Sequence, residues 1–298
     1  MIMAGTVSKL ALALAAMAGA AMTAAPAVAA AKTDQIAIEY KVPANPDFKP
    51  MYEILRQQQV LEKTEIFLSP FKLPRKVVFQ FSECAGEDDA FYGDNTITMC
   101  YELVKRLVDT MPKDIQFKRF ETVDTVIGPL VDTILHEFAH ALFDILRIPL
   151  LGREEDAADQ VAAYIYLQFD EKIAKRLVFG TAYNFYTESQ AAGAAQTRDQ
   201  FNTEFSEVHS TPMQRAFNLL CMAYGSDPEA YQGLVELKFL PEERAETCGE
   251  EYEQVQDAVE ALIRPHVDME KMREISDSAW LDRVRAKSAQ WRGSVVRK

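Results

Sequence analysis

Two histidines and a glutamate lie close together in the segment HEFAH at residues 136–140. On an α-helix, His136 and His140 project from the same face because they are four residues apart, so their imidazole rings can bind one cation. Glu137 follows the first histidine and can reach the open side of that cation. Two histidine ligands with such a glutamate are the arrangement by which zinc peptidases activate water. The spacing therefore predicts a zinc site at His136 and His140, with Glu137 as general base.

The apolar surroundings of the motif support this interpretation. The motif lies in the run TVIGPLVDTILHEFAHALFDIL, which predicts a buried helix. Two imidazoles and a carboxylate without partners in a buried helix would cost several kcal/mol, and a bound cation removes that cost. The alternative is a chance motif in a core helix. Because the chain has only 4 histidines, chance would produce the motif in roughly one such chain in several hundred.

A zinc ion that two histidines hold in an active site needs a third protein ligand. A third histidine of the extended motif HExxHxxGxxH would fall at Leu146, and its glycine would fall at Phe143, so that class is excluded. We expect instead a glutamate from the next helix, because the turn at 149–152 returns the chain beside the motif. Glu155 is the predicted ligand and Glu154 the alternative. Both acids would also suit a helix N-terminus without a metal, where the helix dipole favours negative charge.

Two further residues receive roles around the zinc. Asp159 lies four residues after Glu155 on the same helix face, so it can accept a hydrogen bond from the outer ring nitrogen of a ligating histidine. His209 precedes a predicted helix and can donate a hydrogen bond to the oxyanion of peptide hydrolysis; the alternative is a surface or capping histidine. Three tyrosines are further candidates for the oxyanion donor, and nothing in the sequence selects among them: Tyr92, Tyr101 and Tyr164.

The elements that must position these residues begin with a small sheet. Their composition predicts three strands, in TDQIAIEYK, KVVFQFSEC and TITMCYEL. The segment between the last two, AGEDDAFYGDN, has the composition of a turn. The last two strands would be joined in a hairpin-like connection. Residues 95–101 are the candidate edge against which an extended substrate pairs; the alternative is an ordinary hairpin strand. Between the first two strands, helical spacing predicts one helix over 51–71.

From Tyr101 onward the pattern is mostly helical. Pro149 and Gly152 are expected to end the motif helix, and REEDAADQVAAYIYLQF follows as a second helix. Residues 186–208 are polar and small, which predicts a mobile segment followed by a short helix. Three more helix starts are predicted from caps and prolines: at Ser210 or Thr211, at 227–228 and at 240–241. The predicted fold class is α+β and mostly helical, with a small N-terminal sheet and a helical C-terminal half.

The 4 cysteines allow three pairings. We expect the disulfides Cys84–Cys100 and Cys221–Cys248, because this pairing closes two local loops and an export signal makes oxidation plausible. The first disulfide would stabilise the fold by about 3 kcal/mol through loop-closure entropy. A four-cysteine zinc site requires close pairs such as CxxC, which the sequence lacks. Two free buried thiols remain the alternative for the second pair.

The first 31 residues have the composition of a cleaved export signal. They carry one charge, Lys9, followed by an apolar stretch and small residues, and Ala29 or Ala31 fits the last position before cleavage. The alternative is a membrane anchor that is not cleaved. The mature protein is therefore expected in the periplasm or the medium. The predicted organisation is a signal peptide at 1–31, a metallopeptidase-like domain at 32–265 and a C-terminal extension at 266–298.

The formal net charge of −13 opposes binding to nucleic acid and to anionic lipid surfaces. The basic end of the chain, 283–298, is an exception that we interpret as a solvated end. Residues 126–151 are apolar, but each charged side chain in lipid costs roughly 2.5–3.5 kcal/mol, and this stretch contains Asp132, Glu137, Asp144 and Arg147. The expected partner is a peptide or protein substrate, with no nucleic acid and no stable membrane span after signal cleavage.

The motif and the segment after it resemble a known family. GREEDAADQVAA after HEFAHALFDIL is similar to the glutamate zincins, peptidases with a Glu-x-x-x-Asp on the second helix. More closely, three segments, which run through about residues 36–265, resemble the bacterial metallopeptidases grouped as domain of unknown function 4344: ECAGEDDAFYGDNTITMCYEL, HEFAHALFDILRIPLLGREEDAADQVAA and HSTPMQRAFNLLCMAYGSDP. The resemblance implies a zincin-like fold with Zn²⁺ held by His136, His140 and Glu155, and Glu137 as the base.

The sequence leaves two functions open. The first is an exported zinc peptidase that hydrolyses peptide bonds. The alternative is a catalytically inactive protein of zincin fold with a binding or structural role in the cell envelope. The intact Glu137 favours the first, because inactive relatives of an enzyme often lose the base.

Overall fold

Four strands on the N-terminal side of the chain form one sheet. They are β1 (Ile36–Tyr40), β2 (Val77–Ser82), β3 (Ala90–Gly93) and β4 (Thr96–Cys100). The computed structural model describes residues 35–113, 120–193, 197–199, 202 and 206–276. The predicted signal peptide at 1–31 and the basic end at 283–298 lie outside the described residues.

The strand order in the sheet is β1-β2-β4-β3. The first three of these run parallel, and β3 pairs antiparallel with β4. Asp94 and Asn95 join β3 to β4 with φ angles of 50° and 59°, the backbone of a two-residue hairpin turn. The sheet therefore ends at β3, and no described strand pairs with the outer edge of β3.

Two expectations for the sheet are wrong. The predicted hairpin between the second and third strands does not form, because β2 and β4 are parallel neighbours. The hairpin consists of β3 and β4, and β3 lies inside the segment that we expected to be a turn. Because β4 is an inner strand, the predicted edge at 95–101 is also wrong, and the edge is β3. A strand of 4 residues is too short to show the alternation by which strands are recognised.

Two helices, α1 (Lys49–Gln57) and α2 (Val60–Leu68), replace the single helix expected over 51–71. The chain turns at Gln59, which has a left-handed φ of 52°. The hydroxyl of Tyr40 in β1 accepts a hydrogen bond from the N–H of Leu61 at 2.7 Å, and so it satisfies a free donor in the first turn of α2. This long-range contact stabilises the interruption between α1 and α2. The local sequence, three consecutive glutamines, does not indicate that a helix ends there.

The mostly helical α+β class is confirmed. The helices that follow the sheet in the described residues are α3 (Tyr101–Asp109), α4 (Asp124–Leu146), α5 (Glu154–Leu167), α6 (Glu171–Ala192), α7 (Pro212–Ser226), α8 (Gly233–Glu236), α9 (Glu242–Leu262) and α10 (Met269–Ser276). Thr211 caps α7, as predicted, by accepting a hydrogen bond from Gln214 N–H. The expectation of a mobile segment is wrong for residues 186–192, because these residues continue α6.

Helix α4 carries the motif through the centre of the core. It packs against α3, α5, α6 and the strands β3 and β4. It is the one helix in the described part of the chain that is long and apolar enough to cross a membrane, and 83% of its most apolar window is buried inside the protein. Arg147 ends the helix in a left-handed conformation, two residues before Pro149. The apolar run around the motif is therefore covered by other elements of the protein.

Both predicted disulfides are confirmed. Cys84–Cys100 joins the segment after β2 to the end of β4, and Cys221–Cys248 joins α7 to α9. The Cα atoms of the two pairs lie 5.5 Å and 5.0 Å apart, within the normal range for disulfides. Such bonds persist in oxidising compartments and indicate an oxidising, extracellular environment.

Helices α4 and α6 lie side by side, run in the same direction and approach closely. Arg176 donates a hydrogen bond to Asp124 at 2.8 Å, and one turn further along, Gly180 lies against Gly128. Both pairs are separated by the same number of residues (176 − 124 = 180 − 128 = 52). A Cβ atom on Gly180 would lie 2.0 Å from the backbone oxygen of Asp124. The contact between the helices therefore requires glycine at this position.

Gly180→Ala should lower the free energy of unfolding by about 1–3 kcal/mol, because the two backbones must separate to admit the methyl group. Gly249→Ala is the matched control, since nothing lies within 4 Å of a Cβ at that position in α9. It should raise the free energy of unfolding by about 0.5–1 kcal/mol, because alanine favours the helix. Urea denaturation measures both changes. A Gly180→Ala variant as stable as the wild type would contradict the close approach of α4 and α6.

Candidate metal centre

Three ligand atoms from two helices converge at one point. His136 and His140 project from the same face of α4, and their Nε2 atoms lie 3.1 Å apart. Glu155, in the first turn of α5, places its Oε2 atom 3.1 Å from the first Nε2 and 3.2 Å from the second. The turn between Arg147 and Arg153 brings α5 back beside α4. The fold thus assembles a group of two imidazoles and one carboxylate that could hold a metal ion.

The outer nitrogens of the two imidazoles are bound by carboxylates. His136 Nδ1 lies 2.8 Å from Asp159 Oδ1, and His140 Nδ1 lies 2.8 Å from Glu154 Oε1. Because a carboxylate only accepts hydrogen bonds, both Nδ1 atoms carry the proton. In neutral imidazoles the Nε2 lone pairs then point towards each other and towards the Glu155 carboxylate. Three lone pairs at such short distances repel one another unless a cation lies between them.

The distances fit a small divalent cation. Four ligands around zinc, with bonds of about 2.0–2.1 Å, form a tetrahedron whose corners are about 3.3–3.4 Å apart. The three donor atoms here are 3.1–3.2 Å apart, so they can occupy three corners with only a small expansion. The donor set is therefore close to the geometry that a bound ion requires.

The pKa values in the free protein reflect the same demand for positive charge. Burial lowers the pKa of His136, but hydrogen bonds to Asp159 and Glu155 outweigh it and raise that pKa to about 10. Hydrogen bonds from His136, His140 and His209 hold the pKa of Glu155 well below its usual range. Without a metal, protons on the histidines supply the charge that the site needs. A metal ion would displace these protons when it binds.

Arg215 of α7 holds Asp159, the carboxylate that contacts His136, and the sequence analysis did not predict this role. Its Nε and one terminal nitrogen, Nη2, each donate to Asp159 at 2.7 Å, and its guanidinium lies 4.4 Å from the centre of the Phe185 ring. This partly buried guanidinium fixes the carboxylate that in turn holds His136. Arg215 lies in the family-like segment HSTPMQRAFNLLCMAYGSDP, but the resemblance assigned it no role. Because 56 residues separate it from Asp159, only the packing of α7 against α5 reveals the pair.

Glu137 is buried on α4 and faces the same cavity as the two histidines. Burial raises the pKa of its carboxyl group, and the neighbouring histidines partly offset this effect. Glu154, the alternative ligand, contacts the outer nitrogen of His140 rather than the point of convergence. Of the two candidate glutamates, the structure therefore brings Glu155 to the ligand position.

His209 also lies at the centre. Its Nε2 atom is 2.8 Å from Glu155 Oε2, and its ring is stacked 5.9 Å from the ring of His136. Its side chain is 40% exposed, so it can move towards a bound substrate. Among the tyrosine candidates, Tyr101 is fully buried and donates to the backbone oxygen of Lys41, which excludes it as an oxyanion donor.

A cavity of about 1660 Å³ opens in front of the three ligands. Strand β3 forms one wall, the start of α5 and the segment before α7 form another, and α3, α4 and α6 enclose its inner part. The cavity is large enough for several residues of an extended peptide. The metal group and Glu137 are therefore accessible to a large substrate.

Comparison with protein families gives one match. Residues 40–263 match the family described as "Putative metallopeptidase", domain of unknown function 4344. The chain belongs to this family. Comparisons with curated proteins and with solved structures gave no match. The matched region contains the two histidines, Glu137, Glu155 and Arg215, so the family match covers the group that could hold a metal ion.

Asp159→Asn should weaken zinc binding by roughly 10–100-fold, because the carboxylate orients His136 and increases its basicity. Competition with a chromophoric chelator measures the affinity. Asp257→Asn, on the exposed side of α9, is the control and should leave the affinity unchanged. A folded Asp159→Asn protein that binds zinc as tightly as the wild type would show that Asp159 does not support the metal ligand.

Proposed function

We propose that this protein is an exported zinc peptidase that hydrolyses peptide bonds, with a zincin-like pairing of the motif helix α4 and the glutamate helix α5. The observation that carries the proposal is the convergence of three lone-pair donors, 3.1–3.2 Å apart, beside Glu137 in the wall of a large cavity. Membership of a metallopeptidase family supports the same class of reaction.

Zinc is the metal that this ligand set favours. Two neutral imidazoles and one carboxylate are a common set of three protein ligands for catalytic zinc, which leaves a fourth position open. His136, His140 and Glu155 would hold the ion. When bound, it supplies Lewis-acid chemistry, in that it polarises the substrate carbonyl and makes a water molecule more acidic.

Glu137 acts as the general base and then as the general acid. It accepts a proton from the attacking water as the new C–O bond forms, and it delivers that proton to the leaving nitrogen as the C–N bond breaks. Its buried position at the cavity wall supports this role, because burial raises the pKa of its carboxyl group. A raised pKa makes the carboxylate a stronger base for the proton of water.

His209 stabilises the charge that develops on the carbonyl oxygen. Its Nε2–H, which contacts Glu155 in the free protein, can turn to the substrate because the ring is half exposed. Asp159 and Arg215 act on the other side of the centre, where they keep the His136 ring in its orientation. Asp159 and Arg215 therefore position a metal ligand, whereas Glu137 and His209 are the two groups that act on the substrate.

The open edge of β3 binds the substrate backbone. Cys100 N–H donates to the oxygen of Asp89 at 3.2 Å, which makes these two residues a hydrogen-bonded pair of the antiparallel ladder. Because such pairs alternate, the amide and carbonyl of Tyr92 point away from β4 towards the open edge. An extended peptide can add to this edge as a further strand and so lie along the cavity wall.

Export follows from the predicted signal peptide at 1–31, which would be removed before the protein acts. The two disulfides support this location, since they require an oxidising compartment. The proposed substrate is therefore a peptide or protein outside the cytoplasm.

Glu137→Gln should retain zinc and lower the rate of peptide cleavage by about 10²–10⁴-fold, because the amide cannot accept the proton of water. The measurement is cleavage of a mixed peptide library, analysed by mass spectrometry, with zinc content determined for the same samples. Glu250→Gln, on the exposed face of α9, is the control and should cleave as the wild type does.

Two results would contradict the proposal in different ways. Cleavage by Glu137→Gln at the wild-type rate would show that Glu137 is not the base. A wild-type protein that holds zinc but cleaves no peptide of the library would favour a non-catalytic binding protein on the same scaffold.

A further inference from the structure

The cavity carries more acidic than basic groups, and two of its arginines are already paired. Arg106 contacts Asp88 at 2.9 Å and Glu188 at 2.7 Å. Arg215 is taken by Asp159. The described acidic residues of the lining are Glu87, Asp88, Asp89, Asp132, Glu137, Glu154, Glu155, Glu188, Asp199 and Glu207. A metal ion held by His136, His140 and Glu155 would neutralise part of this charge.

Helices α3, α4 and α6 together line one side of the cavity, here called the pocket. Its walls are apolar and include Leu103, Leu107 and Phe185. Its polar groups include Asp132 of α4 and Thr181 and Asn184 of α6. Glu188, the partner of Arg106, also lines the cavity and accepts a hydrogen bond from Asn184 Nδ2 at 3.0 Å. Since α4 and α6 run in the same direction with an offset of 52 residues, Asp132 lies level with Asn184 (132 + 52 = 184).

Asp132 is a buried acid without a cation of its own. It is 6% exposed, and no ion pair joins it to a basic side chain of the described residues. The charge of Arg215 acts on it, but this guanidinium donates its hydrogen bonds to Asp159. Burial, together with the charge of Asp159, raises the pKa of Asp132 to about 7, although Arg215, His136 and a hydrogen bond from Tyr166 act to lower it.

Thr181 provides a second, independent observation that points to a ligand. The residue is fully buried in the lining of the cavity, and its hydroxyl has no hydrogen-bond partner among the described residues. A buried hydroxyl without a partner costs about 1–3 kcal/mol. A ligand that supplies a hydrogen-bond donor at this position would remove that cost.

We propose that this pocket selects a cationic side chain, so that the substrates of the protein are extended peptides with a lysine or arginine beside the cleaved bond. The apolar walls suit the methylene stem of such a side chain, and Asp132, Thr181 and Asn184 can bind its charged head. The edge of β3 would hold the peptide backbone while the side chain enters between α4 and α6. This inference rests on the proposed peptidase function, whose substrate class it names.

Binding to an inactive protein tests the pocket separately from catalysis. The probe is a set of fluorescent ten-residue peptides that are identical except for one central residue, which is lysine, arginine, norleucine or citrulline. Zinc-loaded Glu137→Gln protein should bind the lysine and arginine peptides at least tenfold more tightly than the norleucine and citrulline peptides. The preference should persist in 0.5 M salt, because salt screens a buried pair less than exposed charges.

Asp132→Asn in the same background should reduce the preference for lysine over norleucine to about one. Glu207→Gln is the matched control, since it removes one negative charge from the exposed rim of the cavity and should keep the preference. If Asp132→Asn does not fold, the Thr181→Val variant tests the pocket instead. Loss of the threonine hydroxyl should lower the affinity for the lysine peptide several-fold and leave the affinity for the norleucine peptide unchanged. Equal binding of lysine and norleucine, no binding of the lysine peptide, or a preference that survives both variants overturns the inference.

Cleavage of the same peptides by the wild type separates this inference from the proposed function. Cleavage without preference for lysine or arginine overturns the pocket assignment and leaves the peptidase intact. Selective binding without cleavage supports the pocket and contradicts the proposed hydrolysis.

Discussion

The repulsion among three lone pairs, two from α4 and one from α5, is the constraint on which the rest of the structure depends. The Nε2 atoms of His136 and His140 and the Oε2 atom of Glu155 lie 3.1–3.2 Å apart. Carboxylates hold the outer nitrogens, so in neutral imidazoles the proton is on Nδ1 and each Nε2 carries a lone pair. The arrangement is stable only with positive charge at its centre. In the free protein, protons supply that charge, as the raised pKa of His136 indicates. A divalent cation would supply it instead, and the distances between the three donor atoms already suit four-coordinate zinc.

Successive layers of the fold hold this arrangement in place. The first is α4, buried among α3, α5, α6 and the sheet. The second is the turn after Arg147, which directs α5 back so that Glu155 and Asp159 meet both histidines. The third is α7, whose Arg215 donates two hydrogen bonds to Asp159. The disulfide Cys221–Cys248 links α7 to α9. A chain of contacts thus connects a disulfide in the C-terminal half to a metal ligand in the core helix.

The parts of the site that short-range patterns encode could be predicted from the sequence. Two histidines one helical turn apart share a face wherever the helix forms, and Glu155 with Asp159 repeats the same spacing after a Pro-Gly turn. The two disulfides close local loops, so proximity along the chain sufficed to pair them. The fold class followed from the periodicity of the longer helices.

The features that the sequence concealed depend on contacts between distant segments. The edge strand β3 has 4 residues and becomes a strand because β4 pairs with it. The break at Gln59 is stabilised by Tyr40 of another element. Arg215 and the pocket around Asp132 require the packing of α6 and α7 against α4 and α5, and no local spacing encodes that packing. Asp132 was noticed in the sequence only as a charge unsuited to lipid, whereas the fold puts it in the wall of the cavity.

The metal content of the protein tests the central claim most directly. Elemental analysis of the untagged mature protein, purified without chelator, should give one zinc per chain, and the His136→Ala/His140→Ala variant should contain none while remaining folded. Wild-type protein that contains no zinc and takes up none when zinc is added would contradict the account, since the three converging donors would then be satisfied by protons alone.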